Sequence, residues 1–347
     1  MTKMKKHGLL LLSLLMALTL LFSGCAEYSS RNSSSEEDAS SASDTTASTT
    51  APSDSSTAEI TTKPEQAIEA TPLIWEVKSN DGSSTLYLFG SIHATDGTVF
   101  PFSDKIMNAY NSADCLAVEF DLIAFGSDMT AQLNTTRLLA YADGSTVKDH
   151  LSAETYEKVT SFLKEQNLYT SMYDNYHPMM LESALSVYLI SDAGLSDTAG
   201  VDRYFLELAK NDGKEIIEIE SAESQLQMAM SIPDEYYDKS LAATVDSLIL
   251  GNDDMVQLYE TWKTGDIDGF NAMFSEEAMD FTEEEQYIYD EYMRLMLTDR
   301  NTLMTQTADN ILKSGKNGFL VVGVAHMIGD TGIVKQLEDM GYTVTRI

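Results

Sequence analysis

The chain has 347 residues, with 22 Lys and Arg against 55 Asp and Glu and a formal net charge of −33. That balance weighs against nucleic acid, whose phosphates select for Lys and Arg, and against a peripheral grip on anionic headgroups. It favours solubility and the attraction of cations, metal ions included. Two cysteines exclude a disulfide framework and a Cys-rich zinc site.

Residues 1–25 read as an export signal. Lys3, Lys5 and Lys6 precede an apolar run from Gly8 to Phe22, and Ser23-Gly24-Cys25 follows. The run is shorter than the roughly 20 residues a membrane span needs. Phe22-Ser23-Gly24-Cys25 resembles a bacterial lipobox, so Cys25 is expected to be acylated. The protein is then expected at the cell membrane, held by that lipid alone on the extracytoplasmic face. Residues 26–72 follow as a tether: 17 of the 35 residues from Ala26 to Ile60 are Ser or Thr. Such a segment cannot bury enough apolar surface to offset its ordering entropy. With Cys25 accounted for, Cys115 reads as a small buried apolar residue.

The folded part is expected over 73–347. Leu73–Val77 and Ser84–Gly90 read as a β-hairpin about the Asn80-Asp81-Gly82 turn. Ser103–Ala113 has helical spacing, and Cys115–Phe120 is a buried strand. Helices are then expected at Met129–Tyr141, Ala153–Gln166, Pro178–Ser191, Val201–Asn211, Ala222–Met230, Asp234–Leu250, Asp253–Thr264 and Thr282–Leu312. The last is long enough to be two. A short strand at Glu215–Ile219 interrupts them. Gly318–Val324 returns to a buried strand, Gly332–Met340 to a helix, and Tyr342–Ile347 closes the chain as a strand. The fold class is therefore α/β (α+β): a mixed central sheet from N- and C-terminal strands, with a large helical insert at about 129–312. A separate helical domain is the alternative.

Two motifs stand out. Gly90-Ser91-Ile92-His93 and Gly323-Val324-Ala325-His326 each place Gly-x-x-His at the exit of an apolar strand, more than 200 residues apart. Functional groups in α/β sheets gather beyond strand ends, so neighbouring strands would bring the two imidazoles together. Either motif alone is weak; their matching context is the signal. Glu119 ends a core strand and, if buried, needs a metal, an arginine or a histidine beside it; alternation would instead place it in solvent. Arg300 lies in a very acidic stretch, with 21 acidic and four basic residues from Glu218 to Arg300. There it would clamp a carboxylate or stabilise an oxyanion, or else form a surface pair with Glu291 or Asp299. His177, before Pro178, reads as a capping or surface residue, and His150 has no role.

In order along the chain, Tyr87–His93, Phe100-Pro101, Ala113–Glu119, Gly200–Leu206, Ile219–Gln225, Arg300-Asn301 and Val321–His326, with the later glycines Gly329, Gly332 and Gly341, resemble the TraB/GumN (TraB/PrgY/GumN) family, which includes the TIKI proteases. The resemblance runs from about Leu73 to Ile347 and is loose from Leu226 to Leu295. It implies a site of His93, Glu119, Arg300 and His326, supported by Gly90, Gly323 and Asn301. For the TIKI branch it implies metal-dependent hydrolysis of a peptide bond. Two imidazoles and a carboxylate suit a divalent metal, Mn, Co or Zn, with a position open for water. Glu119 would be a ligand beside His93 and His326, or the general base, and Arg300 would steady the oxyanion. The expected function is a surface-anchored hydrolase acting on an extracellular peptide or protein. The alternatives are a non-enzymatic protein that binds a peptide signal, as in pheromone shutdown, and an accessory of cell-envelope polysaccharide assembly.

Overall fold

The alternating and continuous apolar runs of the sequence assemble into one six-stranded sheet. The computed structural model describes residues 70–251, 253–273 and 281–347. The signal, Cys25 and nearly all of the tether lie outside these described residues. The strands are β1 (Ile74–Lys78), β2 (Thr85–Ser91), β3 (Cys115–Val118), β4 (Glu215–Glu218), β5 (Gly318–Gly323) and β6 (Thr343–Arg346), in spatial order β4-β3-β5-β2-β1-β6. β1 and β2 form the expected hairpin, with Trp75 opposite Leu88. Its turn uses Gly82 at φ 72°, a left-handed conformation open to glycine without strain. From β4 to β2 all pairings are parallel. β6 pairs antiparallel with β1, so both ends of the folded chain share one sheet.

Parallel strands need crossovers that cover both faces, which is why β3 and β5 are apolar without alternation. Every residue of Gly318–Gly323 is buried. Phe319 meets Tyr110 and Phe205 from the helices Asp104–Ser112 and Val201–Asp212 on one face. Neighbouring Gly318 faces Ile311 of the Asp299–Ser314 helix on the other. A methyl at Gly318 would lie 2.7 Å from Ile311 Cγ2 and from Leu86 Cδ1, so this helix sits close on the sheet.

The span expected as a helical insert is helical for the most part, but Glu215–Glu218 within it is no mere interruption. As β4 it pairs with β3 at the sheet edge. The long C-terminal helical stretch is two helices, Glu283–Met293 and Asp299–Ser314, joined by a π-helical turn at Arg294–Thr298. Trp262, fully buried in the Asp254–Thr264 helix, donates from Nε1 to the Gly90 carbonyl at 2.8 Å, tying the insert to the end of β2. Cys115 is buried with a free thiol. Among the described residues no helix is long and apolar enough to cross a membrane.

Candidate functional site

The carboxyl ends of four parallel strands face the same way, and each delivers one side chain. His93 follows β2, Glu119 follows β3, Glu220 follows β4 and His326 follows β5. The register sets the two Gly-x-x-His motifs side by side, with Gly90 opposite Val322 and Ser91 opposite Gly323. The two glycines serve different ends. A Cβ on Gly90 would lie 2.9 Å from Val324 Cγ2 and 3.2 Å from Val324 Cα, so the first motif's glycine makes room for the turn that carries the second motif. A Cβ on Gly323 would meet Glu119 Oε1 at 3.5 Å and His326 Cδ2 at 3.6 Å, both ordinary contacts.

Each imidazole is held from behind through Nδ1. His93 Nδ1 lies 3.3 Å from Asp202 Oδ2, and Ser91 Oγ donates to the other oxygen at 2.9 Å. Asp202 opens the Val201–Asp212 helix, and its approach depends on Gly200: a Cβ there would lie 2.5 Å from the His93 carbonyl oxygen. His326 Nδ1 lies 2.6 Å from Asn301 Oδ1. Asn301 Nδ2 in turn donates to the Thr331 carbonyl at 2.9 Å, which orients the amide. Nδ1–H is therefore the donor on His326, and Nε2 carries a lone pair. Burial, with the Arg300 charge alongside, pushes the pKa of His326 down to about 3. For His93, burial acts downward, but the hydrogen bond and charge of Asp202 outweigh it and raise the pKa. The His93 side chain is 20% exposed against 4% for His326, so His93 stands on the solvent side.

Glu119 is buried, and alternation does not place it in solvent. Its Oε2 accepts from Arg300 Nη2 at 2.6 Å and Gln225 Nε2 at 3.0 Å, and its Oε1 from the Gly323 N–H at 2.9 Å. Burial alone would raise its pKa, but Arg300, the two imidazoles and that N–H hold it well below the carboxylate range. Arg300 is also buried. Besides Glu119, it donates from Nε and Nη2 to Glu220 at 2.9 and 2.8 Å, and from Nη1 to the Met296 carbonyl of the π-helical turn at 3.3 Å. Burial works against its charge, yet the two carboxylates raise its pKa. The surface pair considered for Arg300 is made by Arg294 instead, with Glu291 and Asp299.

The structure thus brings His93, Glu119, Arg300 and His326 into one neighbourhood, with Gly90, Gly323 and Asn301 in support. Asp202, Glu220 and Gln225 complete it. Sequence reasoning gave these three no role, although they lie in Gly200–Leu206 and Ile219–Gln225, two segments that carried the resemblance. His177 contributes nothing here. It is buried rather than at the surface, and its Nδ1 accepts from Met179 N at 3.4 Å at a helix start. His150 pairs with Asp234 at 2.7 Å and stacks on Tyr141.

His326 Nε2 and Glu119 Oε1 lie 3.9 Å apart, beyond hydrogen-bond reach. Both present lone pairs in a buried setting, a donor set that suits a cation. Among the described residues, no group of three or more His, Cys, Asp or Glu side chains is close enough as placed to enclose a metal ion.

The TraB/PrgY/gumN family profile matches residues 73–346. Two similar proteins, from Escherichia coli (strain K12) and Shigella flexneri, both bear the name "Uncharacterized protein YbaP"; each is 26% identical over 167 residues, 48% of this chain and 58% of its own length. The chain thus spans less than two thirds of these curated relatives. No solved structure matches it. The strand-end motifs, the order of the matching segments and the extent of the profile agree: the chain belongs to the TraB/PrgY/gumN family.

Proposed function

We propose that the protein is a metal-assisted hydrolase, a peptidase acting on an extracellular peptide or protein, carried on the outer face of a bacterial membrane by a lipid on Cys25. The observation that carries this reading is the pair of acceptors, His326 Nε2 and Glu119 Oε1, facing each other at 3.9 Å. Two lone pairs so placed repel unless a positive group lies between them, and metal–ligand bonds of about 2.1 Å would span the gap once the two groups draw together by about 0.5 Å. His326, Glu119 and, from the solvent side, His93 would hold the ion, each imidazole with its Nδ1 tied as metal-binding histidines have it. A bound Mn, Co or Zn ion would supply a polarised carbonyl and a water of lowered pKa.

The chain's own residues divide the remaining work. Glu119 has Oε2 filled by Arg300 and Gln225 and one open position on Oε1 beside His326, which supports the ligand role over the general-base role. Arg300 is committed to two carboxylates, so it orients Glu119 and offsets its charge more than it serves an incoming oxyanion. His93, the more exposed and more basic imidazole, stands where substrate arrives. A second reading, peptide capture without cleavage, draws support from the low basicity of Glu119.

The deciding experiment uses the purified chain, stripped of metal and resupplied with Mn²⁺, Co²⁺ or Zn²⁺, on a mixed peptide library. Cleavage with at least one ion, abolished by His93→Ala and by His326→Ala, is expected. No cleavage with any of the three, or cleavage that survives either substitution, ends the enzyme reading. Cys25→Ala is expected to release the protein from the membrane fraction or block its processing. Normal processing with full retention ends the anchor reading.

A further inference from the structure

The Thr331–Asn301–His326 relay has a direction. Asn301 Nδ2 donates to the Thr331 carbonyl at 2.9 Å, and Gln336 Nε2 donates to the same oxygen at 2.7 Å. The amide oxygen of Asn301 is left facing His326 Nδ1 at 2.6 Å. The other imidazole tautomer would set a bare Nδ1 against that oxygen, two acceptors in contact. Flipping the amide would relieve this only by turning its oxygen onto the Thr331 carbonyl. Asn301 and His326 are both buried, so water cannot repair the mismatch at Nδ1, and a flip would also give up the Asn301 bond to Thr331.

The consequence falls on the opposite side of the ring. Glu119 has lone pairs for about four hydrogen bonds. Arg300 and Gln225 fill Oε2, and the Gly323 N–H takes one place on Oε1. One acceptor position on Oε1 is left, with His326 Nε2 at 3.9 Å. If Nε2 carried the proton, an approach of about 1 Å would give an ordinary hydrogen bond to Glu119. The two groups would then satisfy each other and close the gap between them.

We propose that Asn301 is a positioning residue that fixes His326 as its Nδ1–H tautomer and so prevents His326 from donating to Glu119, holding both as acceptors for a cation. The purpose assigned to the lock rests on the metal reading above; the lock itself does not, and it is measured without metal or activity.

The test is imidazole ¹⁵N NMR of the full chain labelled at histidine and freed of metal by chelation, with His326→Gln to assign the signal. Wild type is expected to show His326 with Nδ1 protonated and Nε2 bare. Asn301→Leu removes the acceptor and is expected to move the ring to Nε2–H. Asn301→Asp keeps an acceptor for the same proton and is expected to keep Nδ1–H. In Mn²⁺ titrations, Asn301→Leu is expected to bind about 10- to 100-fold more weakly, the usual effect of losing such a support. A protonated Nε2 in wild type, or Nδ1–H persisting in Asn301→Leu, overturns the proposal. If Asn301→Leu does not fold, wild type and Asn301→Asp decide, since an Nε2–H in wild type or a bare Nδ1 in Asn301→Asp overturns it. An Nδ1–H tautomer in a wild-type chain that binds none of Mn²⁺, Co²⁺ and Zn²⁺ upholds the lock and overturns the metal reading. Metal binding with an Nε2–H tautomer does the reverse.

Discussion

Arg300→Met tests whether one guanidinium holds the site's acidic half together. The substitution keeps an unbranched apolar chain and removes the charge. Arg300 Nη2 contacts Glu119 Oε2 at 2.6 Å and Glu220 Oε2 at 2.8 Å, and Gln225 Nε2 bridges the same two oxygens at 3.0 and 2.8 Å. Two geometric bridges of this length keep the carboxylate oxygens within about 5 Å of each other. Without the cation, two unit charges at that spacing repel by about 3 kcal/mol at an effective dielectric near 20. Removing one partner of a buried ion pair costs about 3–5 kcal/mol by itself. Protonation of one carboxylate caps the combined loss, so about 3–5 kcal/mol is expected at pH 7.5, read by urea unfolding through Trp fluorescence. The pH dependence gives the sign. In wild type the folded Glu119 pKa lies below its ordinary value near 4.5. Its stabilisation is therefore complete above that value and lost only as pH falls through the lower folded one. In Arg300→Met, burial and the neighbouring carboxylate raise the folded pKa instead. The folded variant then binds the proton first, and its stability rises as pH falls from 7.5 toward 5. The gap between the two proteins should narrow over that range. A loss under about 1 kcal/mol, or a gap constant with pH, would show that Arg300 does not hold Glu119 and Glu220 together.

Three further outcomes follow from single contacts. Gly90→Ala pushes a methyl onto Val324 and is expected to destabilise by about 1–3 kcal/mol, lowering the melting temperature. Gly323→Ala meets only ordinary contacts and is expected to change stability by less than about 1 kcal/mol, while its methyl beside Glu119 and His326 weakens Mn²⁺ binding in a calorimetric titration. Glu182 is half-buried, but its Oε1 is shut off from water without a hydrogen-bond partner, and burial pushes its pKa from 4.5 up to about 8. The folded state therefore keeps a proton that the unfolded state gives up. Stability falls by up to about 1.4 kcal/mol per pH unit as pH rises between those values. Glu182→Gln should flatten that part of the stability–pH curve, and an unchanged slope would show that another group carries it.

The sheet was legible because its strands announce themselves. Thr85–Ser91 and Gly318–Gly323 are apolar runs ended by turn chemistry, and hydrophobic pattern dominates such segments. What the pattern could not supply was neighbour choice. Glu215–Glu218 carries only two apolar residues, Ile216 and Ile217, both half-buried, so nothing local says that it joins β3 at the sheet edge. The length of the C-terminal helical stretch pointed to two helices, but the place of the break was hidden. A π-helical turn at Arg294–Thr298 needs no Gly or Pro, and the sequence there contains neither. Yet that turn supplies the Met296 carbonyl to which Arg300 Nη1 donates.

The site shows the same division more sharply. His93, Glu119 and His326 were readable because each sits one to three residues past an apolar strand, where a polar side chain needs a reason. Arg300 was readable from the acidity around it, but its partners were not. Glu119 is 181 positions away and Glu220 is 80, and only a shared strand-end edge makes them neighbours. Asp202 was harder still, and Asn301 entered only through the resemblance, because each opens or lies within a helix where an Asp or Asn is unremarkable. Their meaning lies in asymmetry. A carboxylate backs the exposed imidazole and raises its pKa, while a neutral amide backs the buried one and only selects its tautomer. Had carboxylates backed both, a fourth would join Glu119, Glu220 and Asp202 with Arg300 as the cation among them, and the buried ring would be drawn toward its charged form. The amide at 301 gives direction without charge, and that is why His326 remains an acceptor in a pocket that already holds three carboxylates.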